Sequence, residues 1–531
     1  MKRTLSNIIA CLDGSQPTPL RAITPLGQSL VAGACLVSVL AKNREEADKT
    51  LCCSANIDSR VQASDSLFFC FEGETTDGHL YAAKAVENGA VAIIGTRNPF
   101  ADDNAPPVPV LLVNNTLHAL WRIALMQRAE TRAKVAGITG TAGKTTVKEV
   151  LASVLAVEGR TAKNHKNLNT QIGLALSMIN AGVDDSFWVL EAGISKPHDM
   201  EELGSILQPD VSIILNAGNA HAEGLGERGV AWHKARLASY TVPGGTALVN
   251  ADYPELIHEA QNIVHLLAGN GSHLKFFASA NTDADCRAEY LGYAPVSPAN
   301  DTERAVAYGV FRVTLGNSTA EYKAPFIGSY GAENTAAIVA TATLFGLSTA
   351  TIQRGLLEAR LPEMRFSCAD MGGVTVIDDT YNANPLSSAR MIETAYNLAT
   401  ATSRPLILVM GKMGELGAQE RELHFQLGAH MGNATPAAVF WHGDFMHEVM
   451  AGLVSAHHTC PFTPTASAEE FIRACTGLLS LCPDAVVLFK GSRSNRLETY
   501  VRAFHDALAQ EKAARTTKLS RNSRELPLYE A

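Results

Sequence analysis

Apolar positions along this chain follow two rhythms that alternate. The run Val135 to Ile138 leads through Gly137-Ile-Thr-Gly-Thr-Ala-Gly-Lys-Thr-Thr146 into Val147-Lys-Glu-Val-Leu-Ala-Ser-Val-Leu155, whose apolar residues recur at helical spacing. That pattern predicts a strand turning through glycines into a helix. Ser186-Phe-Trp-Val-Leu-Glu191, Val211-Ser-Ile-Ile-Leu-Asn216 and Thr246-Ala-Leu-Val-Asn250 are further apolar runs that end on a polar residue, with helical spacing between them. Such alternation predicts a largely parallel sheet covered by helices on both faces, with ligands at the carboxyl ends of its strands.

The same reading divides the chain into three units. In residues 1–132, Leu67-Phe-Phe-Cys-Phe71 reads as a buried strand, Asp77-Gly78 as the turn after it, Tyr81 to Gly89 as a helix closed by glycine, and Ala90-Val-Ala-Ile-Ile94 as a second strand. The central unit spans 133–361 and closes on Gly328-Ser-Tyr-Gly-Ala-Glu-Asn334 and an alanine-rich helix; residues 280–325 show no clear period. In the third unit, 362–531, strands are expected at Val374–Ile377, Leu406–Met410, Ala438–Trp441 and Ala485–Phe489, a second doubly wound pattern. Its end, from about 511, is polar and basic and is expected to be a mobile tail. The fold class is therefore α/β in three domains, with a P-loop-ATPase-like, mostly parallel central sheet and a Rossmann-like C-terminal domain.

Composition changes this picture little. Of 531 residues, 46% are apolar and 18% charged, and the formal net charge of −9 gives no electrostatic reason to expect nucleic-acid binding. Ten cysteines lie without C-x-x-C spacing, which fits reduced thiols in a cytoplasmic protein. The stretch Leu30 to Ala41 is too short to span a bilayer and reads as a buried core segment, so no membrane insertion is expected.

Candidate chemistry starts at the glycine-rich turn. Glycines let backbone N–H groups converge on an anion, the helix N-terminus adds partial positive charge, Lys144 can reach outer phosphates, and Thr145 is placed to ligate Mg²⁺. The generic phosphate-loop signature is not fully met, because Ile138 stands where it asks for glycine. Glu191 at a strand end is either a partly exposed acid or a Mg²⁺-directed carboxylate. The amide-rich segment Lys166-Asn-Leu-Asn169 could bind a carbonyl or phosphate, or be a capped loop. Lys234, alone on the expected helix Val230–Leu237, reads as a solvated side chain. Asp58, Arg60, Asp77 and His79 read as turn and surface residues when taken by themselves. His442, Asp444 and His447 lack the spacing of a helical zinc pair.

Taken together, Thr139-Gly-Thr-Ala-Gly-Lys-Thr-Thr146, Glu191, Asn219-Ala-His221, Lys234 and Asp378-Asp-Thr-Tyr-Asn-Ala-Asn-Pro385 resemble the Mur ligases of peptidoglycan synthesis. Tyr381 to Pro385, Gly414-Glu-Leu-Gly417 and Lys490-Gly-Ser-Arg493 look like the member of that family that adds D-alanyl-D-alanine to UDP-N-acetylmuramoyl-tripeptide. The resemblance implies an ATP-dependent carboxylate–amine ligase working through an acyl phosphate, with Mg²⁺, in a monomer. It implies phosphate and nucleotide contacts from Gly140, Thr141, Ala142, Gly143, Lys144, Thr145 and Thr146, an adenine contact from Asn334, a ribose contact from Asp379, and a further contact from Asn382. Arg365 would reach the phosphates from the third domain. Metal ligation falls to Thr145, Glu191, His221 and a carbamylated Lys234. Asp58, Ser59, Arg60, Asp77, Gly78 and His79 would take up the UDP-sugar, and Asn167, Asn169 and Asn384 would contact substrate. The chain departs from the family pattern in having Tyr330 and Gly331 in the adenine segment, where histidine and asparagine are usual, and Lys412 where aspartate is usual. Its first fifty-odd residues are also long for the family. A nucleotide-dependent switch is disfavoured because no guanine-reading Asn-Lys-x-Asp segment is present; a sibling ligase adding a single amino acid is disfavoured by Tyr381 to Pro385.

Overall fold

The computed structural model describes residues 1–522 apart from 17, 23, 101–105, 219–224, 226–227, 296–306 and 372. The first unit contains β1 (Arg3–Thr4), β2 (Leu36–Leu40), β3 (Leu51–Cys52), β4 (Ser54–Asn56), β5 (Ser66–Phe69), β6 (Ala90–Gly95) and β7 (Val110–Val113). β1 pairs with β3, and the others form a sheet in the order β2-β7-β6-β5-β4, parallel except at β2. The stretch from Leu30 to Ala41 is not the single buried segment its composition suggests. It is the end of one helix, Pro25–Val31, then a turn, then β2, whose Val37 is exposed where the register with β7 shifts and leaves it without a partner residue.

The central sheet is built from β8 (Lys134–Thr139), β9 (Thr161–Lys163), β10 (Phe187–Glu191), β11 (Val211–Ile214), β12 (Thr246–Asn250), β13 (His273–Ala278), β14 (Cys286–Pro295), β15 (Ala307–Leu315) and β16 (Ser318–Ala324). Its order is β16-β15-β14-β13-β12-β11-β8-β10-β9, parallel from β9 to β14 and antiparallel beyond. β8 lies inside the sheet and is buried on both faces from Val135 on, which is why its sequence is a continuous apolar run and not an alternation. Residues 280–325, without a clear period in the sequence, supply β14 to β16.

The third unit has β17 (Ser367–Met371), β18 (Val374–Asp379), β19 (Leu406–Gly411), β20 (Ala438–His442), β21 (Phe462–Pro464) and β22 (Val486–Lys490), ordered β17-β18-β22-β19-β20-β21 and parallel apart from β17. The segment from 511, expected to be a mobile tail, continues the helix Glu498–Asn522, in keeping with its alanine, glutamate, lysine and arginine content. Among the described residues no helix is long and apolar enough to cross a membrane.

Two cores cross the domain seams. One joins Leu5, Leu12 and Trp121 of the first unit to Trp188, Leu203 and Leu207 of the second. Another brings Ile327 of the second unit together with Phe366, Met391 and Leu408 of the third.

Candidate active site

β8 ends at the centre of the sheet, and the loop after it is held by its neighbour. Asn216, just past β11, accepts from the Ala142 N–H at 2.8 Å and donates to the Ala142 carbonyl at 3.0 Å, while its own carbonyl accepts from Thr141 N–H at 3.1 Å. Gly143 turns with φ of 82° into the helix Lys144–Ala156, and a Cβ there would stand 2.4 Å from the Tyr330 hydroxyl. Only glycine fits both demands. Lys144 curls back to donate to the Gly140 carbonyl at 2.8 Å, and burial pushes its ammonium below the ordinary 10.5.

Glu191 is buried, which rules out the partly exposed strand-end acid. Its carboxylate accepts from Thr145 Oγ1 at 2.7 Å and from Asn169 Nδ2 at 2.7 Å. Asn164 bonds the Glu191 backbone at both its N–H and its carbonyl, and Lys148, itself fully buried, donates to the Asn164 and Lys166 carbonyls at 2.7 and 3.2 Å. The amide-rich segment is thus both a clamped loop and, through Asn167 and Asn169, part of the cavity wall.

Lys234, on the helix Gly229–Ala235, is 2% exposed and not solvated as a lone helical lysine ordinarily is. Burial, reinforced by repulsion from Lys144, drives its amine well below 10.5 against the pull of Glu191. His221 lies outside the described residues.

The third unit supplies the opposite wall of a cavity of about 400 Å³. Arg365 stacks on the Tyr381 ring at 4.0 Å. Asp379 is ion-paired to Lys490 and accepts from the Phe366 N–H at 3.1 Å, and Lys490 also donates to the Asn382 carbonyl at 3.0 Å. Asn384 caps the helix Pro385–Ala401 in a reciprocal capping box, and its Nδ2 reaches the Thr141 carbonyl at 3.5 Å across the seam. Thr141 to Thr146, Asn167, Asn169, Glu191, Lys234, Arg365, Asp379, Asn382 and Asn384 therefore line one cavity.

Gly140, whose carbonyl is taken by Lys144, does not line the cavity, and two further groups of expected site residues lie elsewhere. Asn334 is buried but does not line the cavity: Tyr330 does, its hydroxyl packed against Gly143, so the wall expected at position 334 is the tyrosine ring. Asp58, Ser59, Arg60, Asp77, Gly78 and His79 gather on the first unit, beyond the carboxyl ends of β4 and β5, and none lines the cavity. There Asp58 is paired with Arg60, which holds its carboxyl down at about 2. Asp77 accepts from the His79 N–H and faces His79 Nδ1 at 2.7 Å, and these bonds hold it at about 2. Glu72, Asp77 and His79 come close enough to hold a cation, but Arg97 pairs with both carboxylates and supplies that charge. In the third unit, His442 bonds the Thr465 carbonyl and Asp444 pairs with Lys412, so neither is arranged as a metal ligand.

Sequence reasoning passed over Lys148, Asn164, Glu333 and Arg390. A lysine four residues into a helix, or an arginine on a regular helix face, carries no local sign of burial. Lys490 was visible only as part of its segment.

Comparison with known proteins gives three family matches: the Mur ligase family catalytic domain over residues 54–128, the Mur ligase middle domain over 138–342, and the Mur ligase glutamate ligase domain over 364–493. The UDP-N-acetylmuramoyl-tripeptide--D-alanyl-D-alanine ligase of Bacillus subtilis (strain 168) is 26% identical over 448 residues, 84% of this chain and 91% of that protein. The protein of the same name from Synechocystis sp. is 29% identical over 398 residues, 75% and 79% of the two chains. The crystal structure of MurF from Acinetobacter baumannii superposes with a TM-score of 0.73 at 25% identity, covering 86% of this chain and 94% of that one. The MurF ligase of Thermotoga maritima in complex with ADP shares the fold, with a TM-score of 0.70 at 24% identity over 86% and 98%.

Proposed function

The chain belongs to the Mur ligase family, and from that premise we infer that it is an ATP-dependent amide ligase joining D-alanyl-D-alanine to UDP-N-acetylmuramoyl-tripeptide. The observation that carries this reading is the single cavity in which a phosphate loop, Glu191, Lys144 and Lys234 from the central domain face Arg365, Asp379 and Lys490 from the C-terminal domain. The relatives that align with about 84–85% of the chain bear that activity in their names.

In this reading one oxygen of the tripeptide's terminal carboxylate attacks the γ-phosphorus of ATP, the bond to the bridging oxygen breaks, and ADP leaves. The dipeptide's neutral amine then attacks the acyl carbon, and the tetrahedral adduct collapses to the amide as phosphate departs and one proton leaves the nitrogen for solvent. A carboxylate is a poor electrophile, and phosphorylation gives it a leaving group. Gathering that much negative charge requires cations fixed in advance, and Lys144 and Arg365 reach it from the two sides. The donor set fits Mg²⁺: the Thr145 hydroxyl and the Glu191 carboxylate are hard oxygen ligands, which together would hold an ion that neutralises phosphate oxygens. Lys234, an amine whose charged form is disfavoured by burial, is suited to adding CO₂ in its neutral form, its N–C bond forming as a proton leaves to solvent. The resulting carbamate would place a second anionic oxygen pair beside Glu191. His221 would stand by this second cation site. The cluster of Asp58, Ser59, Arg60, Asp77, Gly78 and His79 would hold the UDP-sugar, with Asn167, Asn169 and Asn384 along the peptide's path, Asp379 at the ribose and Asn382 beside it. Because the groups lie on separate domains, closure would complete the site and keep water from the acyl phosphate.

The test is phosphate release by the purified protein. Release from ATP is expected only when the UDP-muramoyl tripeptide and D-alanyl-D-alanine are both present. Equal release with a single amino acid in place of the dipeptide would overturn the assignment in favour of a sibling ligase.

A further inference from the structure

A buried charge crosses the seam between the second and third domains. Arg390, on the third domain's helix Pro385–Ala401, is 8% exposed, and its guanidinium enters a socket made by the central domain. Nη2 donates to both carboxylate oxygens of Glu333 at 2.7 Å and to the Tyr253 hydroxyl, and the guanidinium carbon lies 4.8 Å from the Tyr330 ring and 5.7 Å from that of Tyr253. Glu333, on the helix Gly328–Leu344, is fixed in turn by Asn250 Nδ2 at 2.9 Å. The socket stands on the same supports as the phosphate loop. Asn250 also donates at 2.8 Å to the carbonyl of Leu215, the residue before the Asn216 that holds Ala142, and the Tyr330 hydroxyl lies against Gly143. On the other side of the seam, the helix that carries Arg390 begins at Asn384, a short way along the chain from Asp379 and Tyr381, on which Lys490 and Arg365 rest.

As a source of stability the pair is poor. Both charges lose their hydration in it, and Arg390 Nη1, sealed from solvent, makes no hydrogen bond. What such a pair enforces is geometry, because any packing of the seam that separates the two leaves a charge buried without its partner. The apolar contacts of Ile327 with Phe366 and Met391 are non-directional and would tolerate sliding. We propose that Arg390 and Glu333 are positioning residues that pin the register in which the third domain closes on the second, and so set where Arg365 and Lys490 stand opposite the phosphate loop. This rests on the reading of the cavity as an ATP-dependent ligase site. Catalysis there draws on cations fixed in advance around the transferred phosphate, and a misplacement of about 1 Å is enough to lower a rate by about 10²-fold. Neither residue needs to touch substrate to have this effect.

The experiment separates rate from stability, using the full chain. Arg390→Met combined with Glu333→Gln roughly keeps both shapes and removes both charges, so the double variant is expected to melt at or above the temperature of the natural protein. Assayed well below melting, it should keep its KM for ATP within about threefold, because the loop is untouched, and lose kcat by about tenfold or more. Arg390→Met alone strands Glu333 whenever the seam closes, so small-angle X-ray scattering should give it a larger radius of gyration than either the natural protein or the double variant. Arg390→Lys, which keeps the charge, should retain more kcat than the double variant. A double variant whose kcat stays within about twofold of the natural protein, whatever its melting temperature, would overturn the proposal. So would an unchanged radius of gyration in Arg390→Met. Absence of phosphate release by the natural protein would instead overturn the ligase reading, and the scattering comparison would still decide whether the pair governs closure.

Discussion

Lys234 is a buried amine set between an ammonium that repels it and a carboxylate that attracts it, and its lowered pKa fixes the sign of a stability effect. Between its folded value and the ordinary 10.5, the unfolded chain binds the proton and the folded chain does not, so folding stability rises with pH across that window. Lys234→Met should therefore be relatively most stable against the natural protein at low pH, with the advantage shrinking as pH climbs towards 10.5; chemical denaturation at a series of pH values reads this directly. The same variant should lose activity by about 10²-fold or more, the scale set by removing one preorganised charged group from a reaction of this type, and added bicarbonate should not restore it. The residues of the loop, Glu191 and Lys234 were legible in the sequence as types at spacings. Their burial was not, because what covers Lys234 and Glu191 comes from segments far away in the chain. Tyr330 was legible only as a departure, and its position in front of Asn334 depends on the packing of Gly143 against it.

The loop from Asn164 to Asn169 shows how one element holds another. Lys148 sits on the helix after the phosphate loop, yet its three N–H groups are spent on the carbonyls of Asn164 and Lys166 and on a contact with Glu149. It orients the two asparagines that grip Glu191 from backbone and side chain. Lys148→Met, which keeps the stem and removes the donors, is expected to cost about 1.5–3 kcal/mol, because bonds from a charged donor are lost and the carbonyls stay buried. A drop in the melting temperature, with nucleotide affinity falling alongside, would bear this out; an unchanged melting temperature would refute it. Most parallel strands were legible because a strand covered on both faces must be apolar throughout. The antiparallel extension β14 to β16 was not, although Phe311, Arg312, Val313 and Thr314 alternate between buried and exposed as an open-faced strand should.

At the scale of the molecule, the long N-terminal segment clasps the first two domains. Arg21 donates to the carbonyls of Arg128, Ala129 and Thr131, and its backbone N–H bonds Gln208 Oε1. The Thr24 hydroxyl donates to Ser205. Beneath it Arg128, fully buried, pairs with Asp210 at 3.0 Å and bonds the carbonyls of Leu207 and Gln208, and burial brings its pKa down to about 10. Asp210→Ala would leave that guanidinium without its counter-charge, at an expected cost of about 3–5 kcal/mol, read as a shift of the denaturant midpoint. The three-domain division was legible in the rhythm of strands and helices, whereas this clasp was not, since single polar residues in a loop give no sign of what they reach. The clasp has a mechanical consequence. With the first two lobes riveted into one jaw by Arg21, Gln208 and a common core, any gaping of the mouth falls to the other seam, where the contacts of Ile327 with Phe366 and Met391 and the Arg390–Glu333 pair would have to part, beside a short joint whose Met364 and Phe366 carry left-handed backbone angles of 59° and 55°.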